Sequence, residues 1–318
     1  MKNLDVIALG ELLIDFTENG FSANGNPLLE ANPGGAPCNV LAMLQNLGKK
    51  TAFIGKVGKD AFGDYLKDTV CQAGIDMTNL IQDAIVPTTL AFVHTAADGD
   101  RSFSFYREPG ADMMLSESEI DYSQIADAKI FHFGTLSMTH DGVRAATIKA
   151  VDYAKEHGLL LSFDPNYRPL LWKEEETAKE MIRYGCSVCD ILKISDDEIT
   201  FITGKDTVEE AIPVFVRMYQ LKLMCVTCGK HGSIAIYRDM QVACDAVLRP
   251  DTIETTGAGD TFMGCMLNYV LEHGIENLTE DDLRQMQRFA AMAASIITTR
   301  KGALKVMPTK EEIRADEL

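Results

Sequence analysis

The chain has 318 residues, 46% of them hydrophobic and 24% charged, with a formal net charge of −17 and a pI near 4.8. That length can bury a large core, as one big domain or two. The acidity argues against nucleic acid and anionic membrane surfaces as partners, and means that an anionic substrate needs local cations or a metal.

The opening run MKNLDVIALGELLIDF holds acids inside its apolar stretch and does not read as a signal peptide. No apolar stretch approaches about 18 residues, so no membrane span is expected and the expected compartment is the cytoplasm. A strand is predicted at 6–9, ending at Gly10, and 12–16 resumes the apolar run with Asp15 inside it. Residues 21–33, rich in Gly, Asn and Pro, read as a loop. A helix at 39–47 stops at Gly48, a strand follows at 51–57, and a helix at 62–73 stops at Gly74. Residues 88–106 break this rhythm: two β-rich runs, 89–95 and 101–106, join through Asp98-Gly99, a strong hairpin signal. Strands at 130–133, 159–163, 191–194 and 224–227 then alternate with helices at 142–156, 178–183, 197–203 and 208–220. A second hairpin (233–237 with 241–246) and two long helices, 261–273 and 282–299, complete the chain.

Repeated βαβ units imply an α/β fold with a mostly parallel sheet and helices on both faces. Ligands of such sheets bind beyond the carboxyl ends of the strands. The 88–106 hairpin belongs to no βαβ unit and is placed to cover that edge. The expectation is one domain, 1–318, with a small β lid from about 16–33 and 88–112.

The run Glu254-Thr255-Thr256-Gly257-Ala258-Gly259-Asp260 precedes a helix. Its glycines leave no side chain in a ligand's way, and the first amides of a helix form an anion site. Asp260 is out of place in a phosphate cradle unless it works there, and removing a proton from an alcohol is such work. Gly34-Gly35-Ala36-Pro37-Cys38-Asn39 enters another helix, where Asn39 offers both donor and acceptor to a polyhydroxylated ligand. Asp15, past the first strand, can grip two hydroxyls. Arg168, in Asp164-Pro165-Asn166-Tyr167-Arg168, suits an anion or a sugar hydroxyl. The acids after Ser195 can order Mg²⁺ through waters, while Ser195 and Glu198 also fit a capping box. Thr227-Cys228-Gly229-Lys230-His231-Gly232 has small residues that admit a nucleotide.

Eight cysteines include two CxxC pairs, Cys186/Cys189 and Cys225/Cys228. Residues three apart in a strand face opposite sides of a sheet, and no histidine pair accompanies them, so buried thiols are expected rather than zinc. The chain has no P-loop, no GxGxxG after the first strand, no HExxH and no GxSxG.

Together these stretches resemble the ribokinase-like (PfkB) carbohydrate kinases, and within them the fructokinases. The likeness rests on 10–16 (GELLIDF), 34–40 (GGAPCNV), 53–58 (FIGKVG), 101–107 (RSFSFYR) with Ala111-Asp112, 164–168, 193–198, 255–260 and 300–303 (RKGA). The resemblance implies a three-layer αβα sandwich with a β-sheet lid, a homodimer formed through that lid, and ATP-dependent phosphorylation of a sugar hydroxyl. It implies Asp260 as base and the amides of Gly257, Ala258, Gly259 and Asp260 as anion hole. Asp15, Gly34, Gly35, Asn39, Arg107 and Arg168 would hold the sugar, Arg107 reaching it only on lid closure. Lys193, Thr227, Gly229 and Gly232 would line the ATP side, with Glu198 helping to place Mg²⁺. Glu254 stands where the family usually has Asp beside a monovalent-cation loop, and Ala291 where many relatives have Asn near the adenine. K⁺ activation and nucleotide preference stay open on that account. Fructose is the expected sugar, with 2-keto-3-deoxygluconate kinase, ribokinase, aminoimidazole riboside kinase and a non-catalytic sugar or nucleotide sensor as alternatives.

Overall fold

The computed structural model describes residues 2–95 and 101–316; the expected Asp98-Gly99 turn lies outside them. The first elements are β1 (Leu4–Leu9), β2 (Leu13–Phe21), β3 (Pro27–Gly34), α1 (Ala36–Asn46), β4 (Thr51–Gly58), α2 (Ala61–Gln72), β5 (Asp76–Asp83), β6 (Leu90–Thr95) and β7 (Arg101–Tyr106). There follow α3 (Tyr122–Ala126), β8 (Ala128–Gly134), α4 (Asp141–Glu156), β9 (Leu160–Asp164), α5 (Glu175–Val188), β10 (Ile191–Ser195), α6 (Asp196–Thr203) and α7 (Val208–Met218). The chain then gives β11 (Leu223–Thr227), β12 (Ser233–Tyr237), β13 (Met240–Cys244), α8 (Ala258–His273), α9 (Glu280–Ile297) and α10 (Lys310–Asp316).

The large sheet has the order β13-β12-β11-β10-β9-β8-β1-β4-β5 and is parallel except for the β12–β13 hairpin at its end. Its strands are apolar on both faces, as parallel strands covered by helices on both sides must be. Val6 and Ala8 of β1 join one core with α1, α8 and α9; Ile7 and Leu9 join the other with α4, α5, α6 and α7. Phe131, Phe133 and Phe163 are fully buried in the second core, each stabilising the fold by roughly 1.5–3 kcal/mol. Cys225 lies in the first core and Cys228 packs on the second, as strand alternation requires.

From β1 the chain proceeds through β4 to β5 on one side, and from β8 to β11 on the other. The strand order therefore reverses between β1 and β8, the position where open sheets take their ligands. Glu11 leaves β1 there, Leu136 follows β8, and Asp164 ends β9. No helix of the described residues is long and apolar enough to cross a membrane.

The second sheet has the order β3-β2-β6-β7 and forms the small lid. The loop expected at 21–33 is corrected here: β3 occupies much of it, paired with β2 from Leu13↔Gly34 to Glu18↔Leu29. Pro27 and Pro33 obscured it, but β3 is an edge strand, where a missing N–H is tolerated. β5, absent from the predicted elements, is likewise an edge strand, and its buried residues are only Asn79 and Leu80.

Candidate active site

α8 begins at Gly257, whose φ of 77° is left-handed and suits glycine. The Ala258 amide bonds to Thr255 O at 3.2 Å, whereas those of Gly259 and Asp260 take no backbone carbonyl among the described residues. Of the four amides expected to form an anion hole, that of Ala258 is the one seen with a backbone partner. Asp260 sits in the first turn of α8, buried, and accepts Nδ2 of Asn39 at 2.8 Å. Burial, and then Asp164, push its carboxyl up to about 6, against the Asn39 hydrogen bond and the charges of Lys193 and Arg168. A carboxylate poised there can take a proton near neutral pH. Oδ1 of Asn39 is buried without a partner among the described residues, an acceptor left for a ligand.

Asn39 is held by the start of α1. A Cβ on Gly35, where φ is 141°, would lie 2.3 Å from the carbonyl oxygen of Glu11, so this backbone approach requires glycine. The Glu11 carboxylate accepts the Ala36 amide at 2.7 Å, against the positive end of α1. Glu11 is itself raised to about 7, chiefly by burial. A Cβ on Gly34 would meet Asp15 at 2.8 Å. Asp15 is held at about 7 by burial, with Glu254 and Asp260 adding to the effect and Arg168 opposing it.

Glu11, Asp15, Gly35, Asn39, Gly257, Gly259 and Asp260 line one cavity of about 460 Å³ under the lid, whereas Gly34 and Ala258 do not line it. Its carboxylates are Glu11, Asp15, Glu198, Glu254 and Asp260; its cations are Lys193 and Arg168. Among the described residues it is the lid strands that supply Asp15, Thr17, Asn32, Val93 and Phe105.

The raised Asp15 carboxyl predicts a stability effect. Between the ordinary aspartate value of 3.8 and about 7 the folded chain binds more protons at this site than the unfolded chain. Stability is therefore lost as pH rises through that window. Asp15→Asn should melt above the parent at pH 8, and this advantage should vanish near pH 4. Ligand-free thermal melts at the two pH values check this, and equal melting at pH 8 would contradict it.

Lys193 stands apart from the other residues expected on the nucleotide side. Lys193 lines this same cavity rather than the neighbouring one. Its Nζ is 3.0 Å from Asp164 Oδ2, in a buried ion pair, and 2.9 Å from where a Cβ on Gly259 would stand. Burial works against its charge, yet Asp164, Glu198 and Asp260 hold its pKa above the ordinary lysine value. The ammonium thus stands at the start of α8 beside Asp260. Glu198 closes the expected capping box with Ser195 and also accepts the Tyr167 amide at 2.7 Å. Each of its oxygens keeps a lone pair for water. No cluster of three or more His, Cys, Asp or Glu fit to hold a metal exists among the described residues. That donor set fits Mg²⁺ arriving on phosphate oxygens with its own waters, not a resident protein cage.

Arg168 is exposed at the cavity rim. Arg107 lies elsewhere: it is buried, paired with Asp112 at 2.6 Å, and donates to Thr139 Oγ1 and to the Leu136 carbonyl. All three guanidinium nitrogens are engaged at the root of β7.

A second cavity of about 520 Å³ lies on the other side of the α8 start. Thr227, Gly229 and Gly232 line it, together with Phe262, Ala291 and Ala294. Thr255 and Gly259 line both cavities, so the two meet at the free amides of α8. A donor in one and an acceptor in the other would touch there.

Residues 3–310 match the pfkB family carbohydrate kinases. The chain belongs to that family. It is a sugar kinase, with the ribokinase-like fold. The probable fructokinase-2 of Arabidopsis thaliana is 39% identical to it over 306 residues, 96% of this chain and 93% of the relative. Fructokinase-2 of Solanum lycopersicum is 38% identical over 311 residues, 96% and 94% of the two chains. A fructokinase of Xylella fastidiosa solved with bound ATP has a TM-score of 0.87 at 29% identity, over 98% of this kinase and 97% of that chain. A fructokinase of Vibrio cholerae O395 solved with fructose, ADP and calcium ion has a TM-score of 0.86 at 27% identity, over 98% of both chains.

Two acids of the kinase escaped the sequence reading. Asp164 and Glu11 both stood within quoted motifs, but their partners, Lys193 and the Ala36 amide, lie 29 and 25 residues away.

Proposed function

We propose that this kinase phosphorylates O6 of D-fructose from ATP, with Asp260 as the general base. The buried Asp260 carboxylate, next in sequence to Gly259 where the two cavities meet, carries the reading. Asp260 takes the hydroxyl proton as the sugar oxygen bonds to the γ-phosphorus and the bond to the bridging oxygen of ADP breaks. The amides at 257–260 receive the phosphoryl oxygens, and Lys193 offsets their charge. Asp15, Asn39 and Arg168, beside Gly34 and Gly35, hold the sugar, while Thr227, Gly229 and Gly232 flank the nucleotide. Arg107 acts at one remove, by fixing the lid root. Mg²⁺ carried by the nucleotide would neutralise phosphate charge, with Glu198 accepting from its waters. K⁺ is a candidate activator beside Glu254.

The names of the curated relatives and the fructose in the Vibrio cholerae structure favour fructose over other sugars. An ATP-consumption assay with fructose, ribose, 2-keto-3-deoxygluconate and aminoimidazole riboside tests it, in KCl and in choline chloride. Fructose should give the highest kcat/KM; a lead of about tenfold by another sugar would overturn the substrate while leaving the chemistry. We also place the kinase in the cytoplasm as a homodimer joined through its lids. Phe21 and Tyr106, 75% and 67% exposed on lid strands, support that contact. Sedimentation at micromolar concentration should give a dimer.

A further inference from the structure

We propose that Asn32 is a specificity-determining residue of this kinase, its amide oxygen accepting a sugar hydroxyl beside the one gripped by Asp15. The inference rests on the reading of the cavity under the lid as the sugar site. Asn32 on β3 pairs directly with Asp15 on β2. Directly paired residues project to the same face of a sheet, their Cβ atoms about 5 Å apart. Both line the cavity.

The orientation of the amide is fixed. Nδ2 donates to Thr17 Oγ1 at 2.9 Å and to the Glu30 carbonyl at 3.3 Å. A carbonyl only accepts, so nitrogen must stand on that side, and both its hydrogens are used. Oδ1 is then the free end, with no hydrogen-bond partner among the described residues. Gly302 leaves room for it: a Cβ there would lie 2.9 Å from Oδ1. The Gly302 amide cannot fill the vacancy, because it donates to Glu254 at 2.7 Å. An acceptor without a partner among the described residues therefore lies on the sheet face that also carries the Asp15 carboxylate, and neighbouring ring hydroxyls of a sugar offer two donors to that face. A site built to bond a hydroxyl rejects analogues that lack it.

The test compares parent and Asn32→Ala on the best sugar of the panel and its monodeoxy analogues, with a thermal melt to confirm folding. The sugar KM should rise roughly tenfold with kcat within about twofold, the loss of one positioned hydrogen bond. The ATP KM should not move. One monodeoxy sugar, poor with the parent, should be handled equally by both proteins, as coupling in a double-mutant cycle requires. A sugar KM within about twofold of the parent, or an equal rise for every deoxy sugar, would overturn the role of Asn32. A rise in the ATP KM alone would instead overturn the reading of the cavity. The parent's ranking of sugars decides fructose separately.

Discussion

Asp260→Asn should lower kcat by roughly 10²–10⁴-fold, the loss of a positioned general base. Binding of sugar and ATP should largely survive, since an amide still accepts from Asn39 and leaves the start of α8 unchanged. The parent should also carry an acid limb. Only ionised Asp260 takes a proton, and its carboxyl is held at about 6. As pH falls through that region log(kcat/KM) should bend downward, and the residual activity of Asp260→Asn should lack the bend. Turnover near that of the parent, or an unchanged acid limb in the variant, would remove Asp260 from the role.

Lys193→Met should cost both stability and rate. It leaves Asp164, only 3% exposed, as a buried carboxylate without its cation. Breaking a buried pair in this way costs about 3–5 kcal/mol, which lowers Tm by on the order of ten degrees. The rate should fall on the order of 10²-fold, as for removal of one preorganised positive group at the transferring phosphate. Adding Asp164→Leu separates the two effects. The double variant removes both buried charges, so Tm should recover while kcat stays low. Recovery of kcat together with Tm would make Lys193 a structural residue only.

The parallel core was legible because its strands are apolar runs bounded by glycine and because the helices carry clear stops, as at Gly48 and Gly74. β3 and β5 were not, since an edge strand need satisfy only one neighbour and tolerates proline or polar residues. The start of α8 could be read from Gly257, Gly259 and Asp260, because its chemistry is local to one turn. The ion pair of Lys193 with Asp164 could not, since only the adjacency of β9 and β10 brings them together. Arg107 illustrates the opposite limit: it lies in a motif that resembles a sugar-binding lid, but Asp112, five residues on, already holds its guanidinium.

The carboxylates around the cavity under the lid bear on what happens after the chemical step. Glu11, Asp15, Glu254 and Asp260 face Lys193 and Arg168 there. A neutral alcohol entering this space meets acceptors for its hydroxyls and no electrostatic barrier. The same molecule carries two negative charges once esterified, among groups of mostly its own sign. Like charges confined in a poorly solvated pocket repel strongly. On the proposed reading the chemical step turns a welcome guest into a less welcome one, so release of the ester should be favoured by the charge that its own formation created.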